Sequence, residues 1–363
     1  MKKKLLINLS VLLLAVIILS VTQRLLMPKY MTSIFEGNLV EEYYDQEKDH
    51  DVIFLGDCEV FSNFSPVTLW ENYGITSYIR GSAEQSVWQS YYLLEETLKY
   101  EHPDAVVFNV LAMKNSEPHK EEYNRLTLDG MRLSGSKISA IKASMLEDEQ
   151  FITYIFPILR YHSRWSELTS EDFKYLFGKE KVSHNGFLMR TDIKPLSYLP
   201  KPKELADYNF SEKNNYYLER ITALCKENDI ELILIKAPSA YPHWYDEWDE
   251  QIKKFAQVNE LTYINFLGLA AEIGIDYKTD TYDAGMHLNL SGAEKLTDYF
   301  GRILSEDFGL TDRSNKPELQ RIWEPKVRFY YEMKEHQEYE LEEYGYLKSY
   351  GASPVKNGGK ENE

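Results

Sequence analysis

The segment Val52-Ile53-Phe54-Leu55-Gly56-Asp57-Cys58-Glu59 decides the fold, because an unbroken apolar run ends abruptly in glycine and charged residues. An apolar run without polar alternation is typical of a strand that is buried on both faces, as in a parallel sheet. Similar apolar runs follow along the chain, most of them rich in Val, Ile, Phe or Tyr. These runs are Ile75–Ile79, Ala105–Val110, Leu232–Ile235 and Tyr263–Phe266.

Helical periodicity is found between the apolar runs. Strands that alternate with helices predict an α/β fold, here a three-layer α/β/α arrangement of the flavodoxin type around a mostly parallel five-stranded sheet. The predicted helices are Gln85–Tyr100, Lys213–Asn228, Glu247–Asn259 and Ser291–Leu304.

The N-terminus carries three lysines, Lys2 to Lys4, ahead of an apolar run from Leu5 to Val21. Such a run is close to the roughly 20 residues that span a bilayer, and the lysines predict a cytoplasmic N-terminus with the remaining chain outside. A cleaved signal peptide has a similar start, and a buried helix is a third alternative. No small-residue cleavage site follows the run, which favours an uncleaved single-pass anchor in the cell membrane.

The remaining chain divides by composition. We predict an anchor at 1–30, a stem at 31–50, a globular domain at 51–310 and a charged, partly disordered extension at 311–363. About 120 residues separate the third and fourth runs, so a helical insertion is predicted at about 115–210. The extension contains one predicted helix, Pro317–Tyr346, before a disordered final dozen residues.

Composition excludes several functions. The net charge of -17 argues against a nucleic-acid partner, because phosphate binding requires clustered Lys and Arg. Two cysteines are too few for a disulfide framework. The sequence has no HExxH, paired CxxC, EF-hand, P-loop or GxGxxG motif, so no metal and no cofactor is predicted.

Polar residues follow the apolar runs where ligands bind in open α/β sheets, at the carboxyl ends of the strands. Gly56-Asp57-Cys58-Glu59 follows the first run and Arg80-Gly81-Ser82-Ala83-Glu84-Gln85 follows the second. The third run closes on Phe108-Asn109-Val110, and Asp280-Thr-Tyr-Asp283-Ala-Gly-Met-His287-Leu-Asn289 precedes the last helix. We call these four polar segments stations, and we expect them to lie close together at one edge of the sheet.

In this order the four stations resemble the motifs of the SGNH/GDSL hydrolase superfamily over about 51–305. The resemblance is to its membrane-anchored bacterial members, in the neighbourhood of the DltD and AlgJ types, which serve acyl transfer to cell-envelope polymers. It implies a nucleophile at Cys58, where the family has serine, and a base at His287. It also implies oxyanion donors at Gly81 and Asn109, and an acid at Asp283 or, because the spacing differs from the family's, at Asp280.

Each of these residues has a structural alternative. Cys58 is chemically competent as a thiolate nucleophile, but a vestigial site or simple packing would also place a small cysteine there. His287 and Asp283 can belong to a capping loop, and Asn109 can make a buried turn hydrogen bond. At the same edge, His243 and Trp244 offer an aromatic platform for a sugar ring, and Glu84 is a further candidate for substrate binding.

The resulting hypothesis is an extracytoplasmic ester hydrolase or O-acyltransferase that acts on an acylated cell-envelope glycan or polymer. One alternative is a catalytically silent SGNH-like binding or scaffold partner of a membrane-bound O-acyltransferase, which the substitution of serine by Cys58 favours. Another is an esterase regulated by reversible oxidation of Cys58.

Overall fold

The computed structural model describes residues 2–27, 39–177 and 181–350. Its centre is a five-stranded sheet in the order β2-β1-β3-β4-β5 in which every pairing is parallel. This is the flavodoxin-like order, and it confirms the predicted fold class. The strands are β1 (Val52–Gly56), β2 (Ser77–Gly81), β3 (Ala105–Asn109), β4 (Glu231–Lys236) and β5 (Thr262–Asn265).

Helices surround the sheet, precede it and fill the insertion. The N-terminal helices are α1 (Lys2–Leu26) and α2 (Leu39–Glu42), and those of the first half of the domain are α3 (Cys58–Asn63), α4 (Pro66–Tyr73) and α5 (Val87–Thr97). The insertion holds α6 (Glu121–Leu128), α7 (Gly135–Ser144), α8 (Phe151–Ile155), α9 (Ile158–Tyr161) and α10 (Ser170–Phe177). The rest are α11 (Glu212–Glu227), α12 (Asp246–Asn259), α13 (Phe266–Ile273), α14 (Leu290–Glu306) and α15 (Pro317–Tyr344).

The core lies on both faces of the sheet, because side chains alternate along each strand. Ile53 and Leu55 of β1 pack with α5, α11 and α12, whereas Val52 and Phe54 pack on the other face with α3, α4 and α14. All five residues of β1 are buried. The unbroken apolar run is therefore explained by burial on both sides.

The second strand differs from its predicted bounds. It begins at Ser77, two residues after Ile75. Thr76 between them donates its backbone N–H and its hydroxyl to the carboxylate of Asp51, each at 2.8 Å, and its carbonyl oxygen accepts from the backbone N–H of Val52 at 3.1 Å. β2 then continues through Arg80, which is only 1% exposed. The guanidinium of Arg80 lies 4.0 Å from the ring centre of Tyr43, a cation–π contact that compensates part of the cost of burial.

The first helix is the one described helix that is long and apolar enough to cross a membrane, with a mean hydropathy of 2.7 in its most apolar window. None of that window is buried against the domain. The predicted N-terminal apolar helix is thus present. Residues 31–38 of the predicted stem and the final residues predicted to be disordered lie outside the described residues.

The insertion and the extension both pack on the domain. After α10 the described chain has no helix until α11, and Asn185 in this stretch covers the edge of β2 by accepting from the backbone N–H of Ile79 at 2.9 Å. Helix α15 docks through Trp323, whose ring stacks on Trp70 of α4 with centres 5.2 Å apart. The helix predicted at 317–346 is therefore confirmed, and part of its surface belongs to the core.

Candidate active site

The thiol of Cys58 lies at the carboxyl end of β1, in the first turn of α3. Asp57 caps that helix, since its Oδ1 accepts from the backbone N–H of Glu59 at 3.1 Å. A thiol in the first turn of a helix is near the positive end of the helix dipole, although α3 is short. Cys58 is partly accessible, whereas Cys225 is buried in the core.

The imidazole of His287 is held by Asp283. Oδ2 of Asp283 lies 2.5 Å from Nδ1 of His287, and Oδ1 accepts from the backbone N–H of His287 at 2.7 Å. A tight turn brings Asp283 back to His287 four residues later, because Ala284 and Gly285 both have positive φ, at 64° and 95°. With Nδ1 engaged, Nε2 is the ring nitrogen left for another partner.

Cys58 lies near enough to the His287 imidazole for each group to shift the pKa of the other. Burial raises the pKa of the Cys58 thiol, and the charge of Asp57 adds to this increase, whereas His287 and Lys114 oppose it. Burial alone would lower the pKa of His287, but its contacts with Tyr282, Cys58 and Asp283 raise that pKa well above its ordinary value. The imidazole is therefore well suited to accept a proton from the sulfur.

Asp280, the other candidate for the acid, binds elsewhere. Its carboxylate accepts from the hydroxyl of Ser291 at 2.9 Å and from the ammonium of Lys295 at 2.7 Å. Both partners lie on α14, so Asp280 fastens the start of that helix to the preceding loop. In the described geometry, Asp283 is the carboxylate that contacts His287.

Asn109 lies at the same edge, but its amide hydrogens already have acceptors. Nδ2 donates to Oδ1 of Asp57 at 3.1 Å and to Oε2 of Glu59 at 2.9 Å. Its Oδ1 accepts from the backbone N–H of Ala237 at 3.1 Å. In this arrangement neither hydrogen is directed at a substrate, and Asn109 instead ties the end of β3 to the turn that carries Cys58.

A buried ion pair lies behind the nucleophile position. Glu59 is 1% exposed and Lys236, at the end of β4, is fully buried. Nζ of Lys236 lies 2.8 Å from Oε1 of Glu59, and the hydroxyl of Ser239 donates to the same oxygen at 2.6 Å. Sequence analysis did not single out this pair, because Lys236 directly follows a predicted strand and resembles an ordinary exposed strand end.

Gly81 ends β2 directly opposite Gly56 in the parallel register. A Cβ at position 81 would lie 2.7 Å from Cγ2 of Val60 and 3.1 Å from the carbonyl oxygen of Gly56. Glycine is therefore required for the end of β2 to approach the turn after β1 closely. This approach brings the backbone of Gly81 next to Gly56, two residues before Cys58.

A cavity of about 240 Å³ opens beside the site, and His243 lines it. Trp244 is 6% exposed, and its indole N–H donates to Asp249 at 3.2 Å, so Tyr241, His243 and Tyr245 rather than Trp244 present the aromatic surface. The cavity is lined by Lys114, Pro200, Lys201, Pro202, Lys203, Leu205, Tyr241, Pro242, His243, Tyr245 and Trp248.

Lys114 connects this cavity to the nucleophile. Burial alone would lower the pKa of Lys114, but the nearby negative charges of Asp57, Glu84 and ionised Cys58 raise it. Glu84 is about one-third exposed, and its carboxylate lies 3.5 Å from Nε2 of His119. Glu84 is one of the carboxylates that balance the charge of Lys114, which lines the cavity.

Two further residues, which sequence analysis did not single out, support His287. The ring of Tyr282 stacks on the imidazole with centres 5.7 Å apart, and the guanidinium of Arg190 lies 4.6 Å from the centre of the tyrosine ring. Tyr282 stands inside the predicted station, so its position was a usable signal. Arg190 comes from the insertion and had none.

Within residues 2–27, 39–177 and 181–350, no group of three or more His, Cys, Asp or Glu side chains is arranged to hold a metal ion. No family model and no curated protein matches this sequence. Among solved structures, the chain is similar to a "putative acylhydrolase" from Bacteroides fragilis NCTC 9343, with 13% identity and a TM-score of 0.36. The match covers 74% of this chain and 94% of that chain.

Proposed function

We propose that this protein is an ester hydrolase or O-acyltransferase of the SGNH type that uses Cys58, His287 and Asp283 as its catalytic residues. The observation that carries the proposal is the contact of His287 with Asp283, at 2.5 Å, beside a thiol whose pKa His287 lowers. Residues separated by more than 220 positions come near one another there, and a nucleophile, a base and an acid are the groups that nucleophilic catalysis requires.

The chemistry follows from the contacts. The sulfur of Cys58 attacks the carbonyl carbon of the ester while its proton passes to Nε2 of His287. The tetrahedral intermediate collapses, the C–O bond breaks, and the leaving alcohol takes the proton from His287. Water or a sugar hydroxyl then attacks the resulting thioester and gives its proton to His287. As the C–S bond breaks, His287 returns that proton to the sulfur of Cys58.

The oxyanion requires donors near Cys58. We assign this role to the backbone N–H groups of Gly81 and of Cys58 itself, which lie where β2 and α3 meet. Asn109, the other donor implied by the family resemblance, is a positioning residue in this proposal because both its hydrogens bind carboxylates. Its loss would displace Asp57 and Glu59, which flank the nucleophile.

The proposed substrate is an acylated glycan or polymer of the cell envelope. Aromatic side chains at Tyr241 and Tyr245 are suited to stack on a sugar ring, with His243 between them. Lys114, Lys201 and Lys203 line the same cavity on a chain whose net charge is -17, which favours a substrate that carries negative charge. With α1 as an uncleaved anchor and the N-terminal lysines inside, the site would face the envelope.

Alkylation of Cys58 by iodoacetamide, followed against pH, tests the proposal. Burial raises the pKa of Cys225 to about 12, so this cysteine is an internal control that should stay unlabelled in the folded protein. We expect Cys58 to be labelled from slightly alkaline pH upwards and labelling to fall at least tenfold in His287→Ala. Incubation with an activated ester should also leave an acyl group on Cys58, detectable by mass spectrometry and absent in Cys58→Ala.

A second candidate function is supported by the carboxylates around Cys58. The carboxylates of Asp57 and Glu59 accept both amide hydrogens of Asn109, and the charge of Asp57 disfavours the thiolate of Cys58. Both effects are expected for a catalytically silent site that binds a glycan or a membrane-bound O-acyltransferase. Labelling that is equal in the wild type and His287→Ala, with no acyl adduct, would establish this alternative and exclude the enzyme.

A further inference from the structure

The segment between residues 151 and 177, here called the anchor-proximal segment, exposes an unusual set of side chains. Among the described residues, every phenylalanine or tryptophan with an exposed side chain lies in this segment, and Ile152 and Leu159 are exposed with them. Those aromatic side chains are Phe156 at 52%, Trp165 at 72%, Phe173 at 47% and Phe177 at 87% exposed. A surface that faces only water rarely exposes so many large apolar side chains in one segment.

The same segment holds the end of α1. The guanidinium of Arg164 donates to the carbonyl oxygen of Leu26 at 2.6 Å, and the backbone N–H of Ile158 donates to Oε1 of Gln23 at 3.4 Å. Leu26 is 5% exposed, whereas the apolar residues from Leu5 to Val21 are all about half exposed or more. The anchor-proximal segment therefore contacts the last turn of α1 and leaves the rest of that helix free.

The length of α1 places this contact at a definite depth. At a rise of about 1.5 Å per residue, the apolar run from Leu5 to Val21 spans roughly 26 Å, close to the hydrocarbon thickness of a bilayer. Gln23 and Leu26 then lie at the level of the lipid headgroups. Side chains bound to them lie at the same level, where tryptophan and phenylalanine are favoured.

We infer that the anchor-proximal segment lies in the bilayer surface that α1 crosses, with Phe156, Trp165 and Phe177 inserted at the boundary between headgroups and acyl chains. The inference rests on the proposed role of α1 as an uncleaved anchor. Charge contributes little, because Arg160 pairs with Glu121, and Arg164 pairs with Asp172. The domain is thereby held against the membrane in one orientation instead of moving freely on a stem.

Fluorescence quenching by brominated lipid tests this inference on the full chain in phosphatidylcholine nanodiscs. Of the six tryptophans, Trp165 is the exposed one, since the other five are less than 10% exposed. We expect lipid brominated in the upper acyl chain to quench the wild type, and Trp165→Phe to abolish most of that quenching. Trp165→Phe/Val258→Trp is the matched control, because Val258 is 73% exposed on α12 and should respond to a soluble quencher but not to the lipid.

The outcomes separate the two proposals. Equal quenching in the wild type and Trp165→Phe, while the chain elutes with the nanodiscs, would overturn the surface contact and leave the anchor intact. A chain that does not elute with nanodiscs would overturn both. Circular dichroism of each variant, unchanged from the wild type, shows that a loss of quenching reflects the side chain and not unfolding.

Discussion

Asp283 holds His287 at two points, through Nδ1 of the ring at 2.5 Å and through the backbone N–H at 2.7 Å. The carboxylate therefore fixes both the tautomer of the imidazole and the position of its main chain. A ring held in this way presents Nε2 in one direction, and Cys58 lies near enough for the two groups to shift each other's pKa. The pKa of His287 and the reactivity of Cys58 should consequently depend on Asp283.

Asp283→Asn should lower the pKa of His287, because it removes the negative charge that stabilises the imidazolium. The imidazole then loses its proton at lower pH and becomes a poorer acceptor for the proton of Cys58. Alkylation of Cys58 near pH 8 should slow accordingly. The histidine titration can be followed by NMR, and the labelling by mass spectrometry.

Asp280→Asn is the comparison for this variant. It removes an ion pair with Lys295 and should lower thermal stability, yet it should leave the pKa of His287 and the labelling of Cys58 unchanged. If Asp280→Asn moved the histidine titration and Asp283→Asn did not, the assignment of the acid would be reversed.

Asp57→Asn should make Cys58 more reactive. Burial and the neighbouring Glu59 raise the pKa of Asp57 to about 6, so Asp57 is ionised above that pH and its charge disfavours the thiolate. Asparagine keeps the oxygen that caps α3 without the charge. We expect faster alkylation of Cys58 at pH 8, whereas below pH 6, where Asp57 is protonated, the wild type and the variant should converge.

The control is Asp246→Asn, in the exposed first turn of α12. This variant should label at the wild-type rate throughout. A persistent difference between Asp57→Asn and the wild type below pH 6 would show that the effect comes from altered packing and not from charge.

Lys236→Met should destabilise the protein by about 3–5 kcal/mol, because it leaves the buried carboxylate of Glu59 without its counter-charge. In Glu59→Gln/Lys236→Met neither charge of the pair remains, so the double variant should lose less stability than Lys236→Met alone. Urea denaturation in detergent measures both. A double variant as unstable as the sum of the two single variants would mean that the ion pair contributes nothing beyond packing.

Gly186→Ala should weaken the cover over β2. Gly186 has a φ of +88°, and a Cβ there would lie 2.1 Å from the carbonyl oxygen of Ile79. The expected loss of stability is at least about 1–3 kcal/mol. Gly135→Ala is the matched substitution, since nothing lies near its Cβ position and alanine favours a helix. Thermal unfolding of both variants should therefore move in opposite directions.

The fold was predictable because it depends on patterns that the sequence displays directly. Apolar runs such as Val52–Leu55 can be buried only inside a two-sided sheet, and the helices between them follow from their periodicity. The exact start of β2 was not predictable, because nothing in the sequence of Ile75, Thr76 and Ser77 marks the point at which the paired strand begins. Short helices such as α3 and α13 escaped for a related reason, since one or two turns show little periodicity.

The sequence predicted which segments form the candidate site, but it did not predict which side chains contact one another there. The convergence of Cys58 and His287 follows from the rule that parallel strands end at one edge. The choice between Asp280 and Asp283 depends on the turn at Ala284 and Gly285, which spacing alone does not fix. The hydrogen bond from Asn109 to Glu59 forms because the Glu59 side chain is buried, and nothing in the sequence distinguishes a buried glutamate from an exposed one.

The stacking of Trp323 on Trp70 has a practical consequence for anyone producing this protein. A shortened version that stops near residue 310, where composition changes, would strip α15 from the surface of α4 and leave one indole face bare to water. Such a fragment should aggregate and have low stability in solution. Expression boundaries belong beyond Tyr350, whose hydroxyl donates to the carbonyl oxygen of Met189 at 2.5 Å.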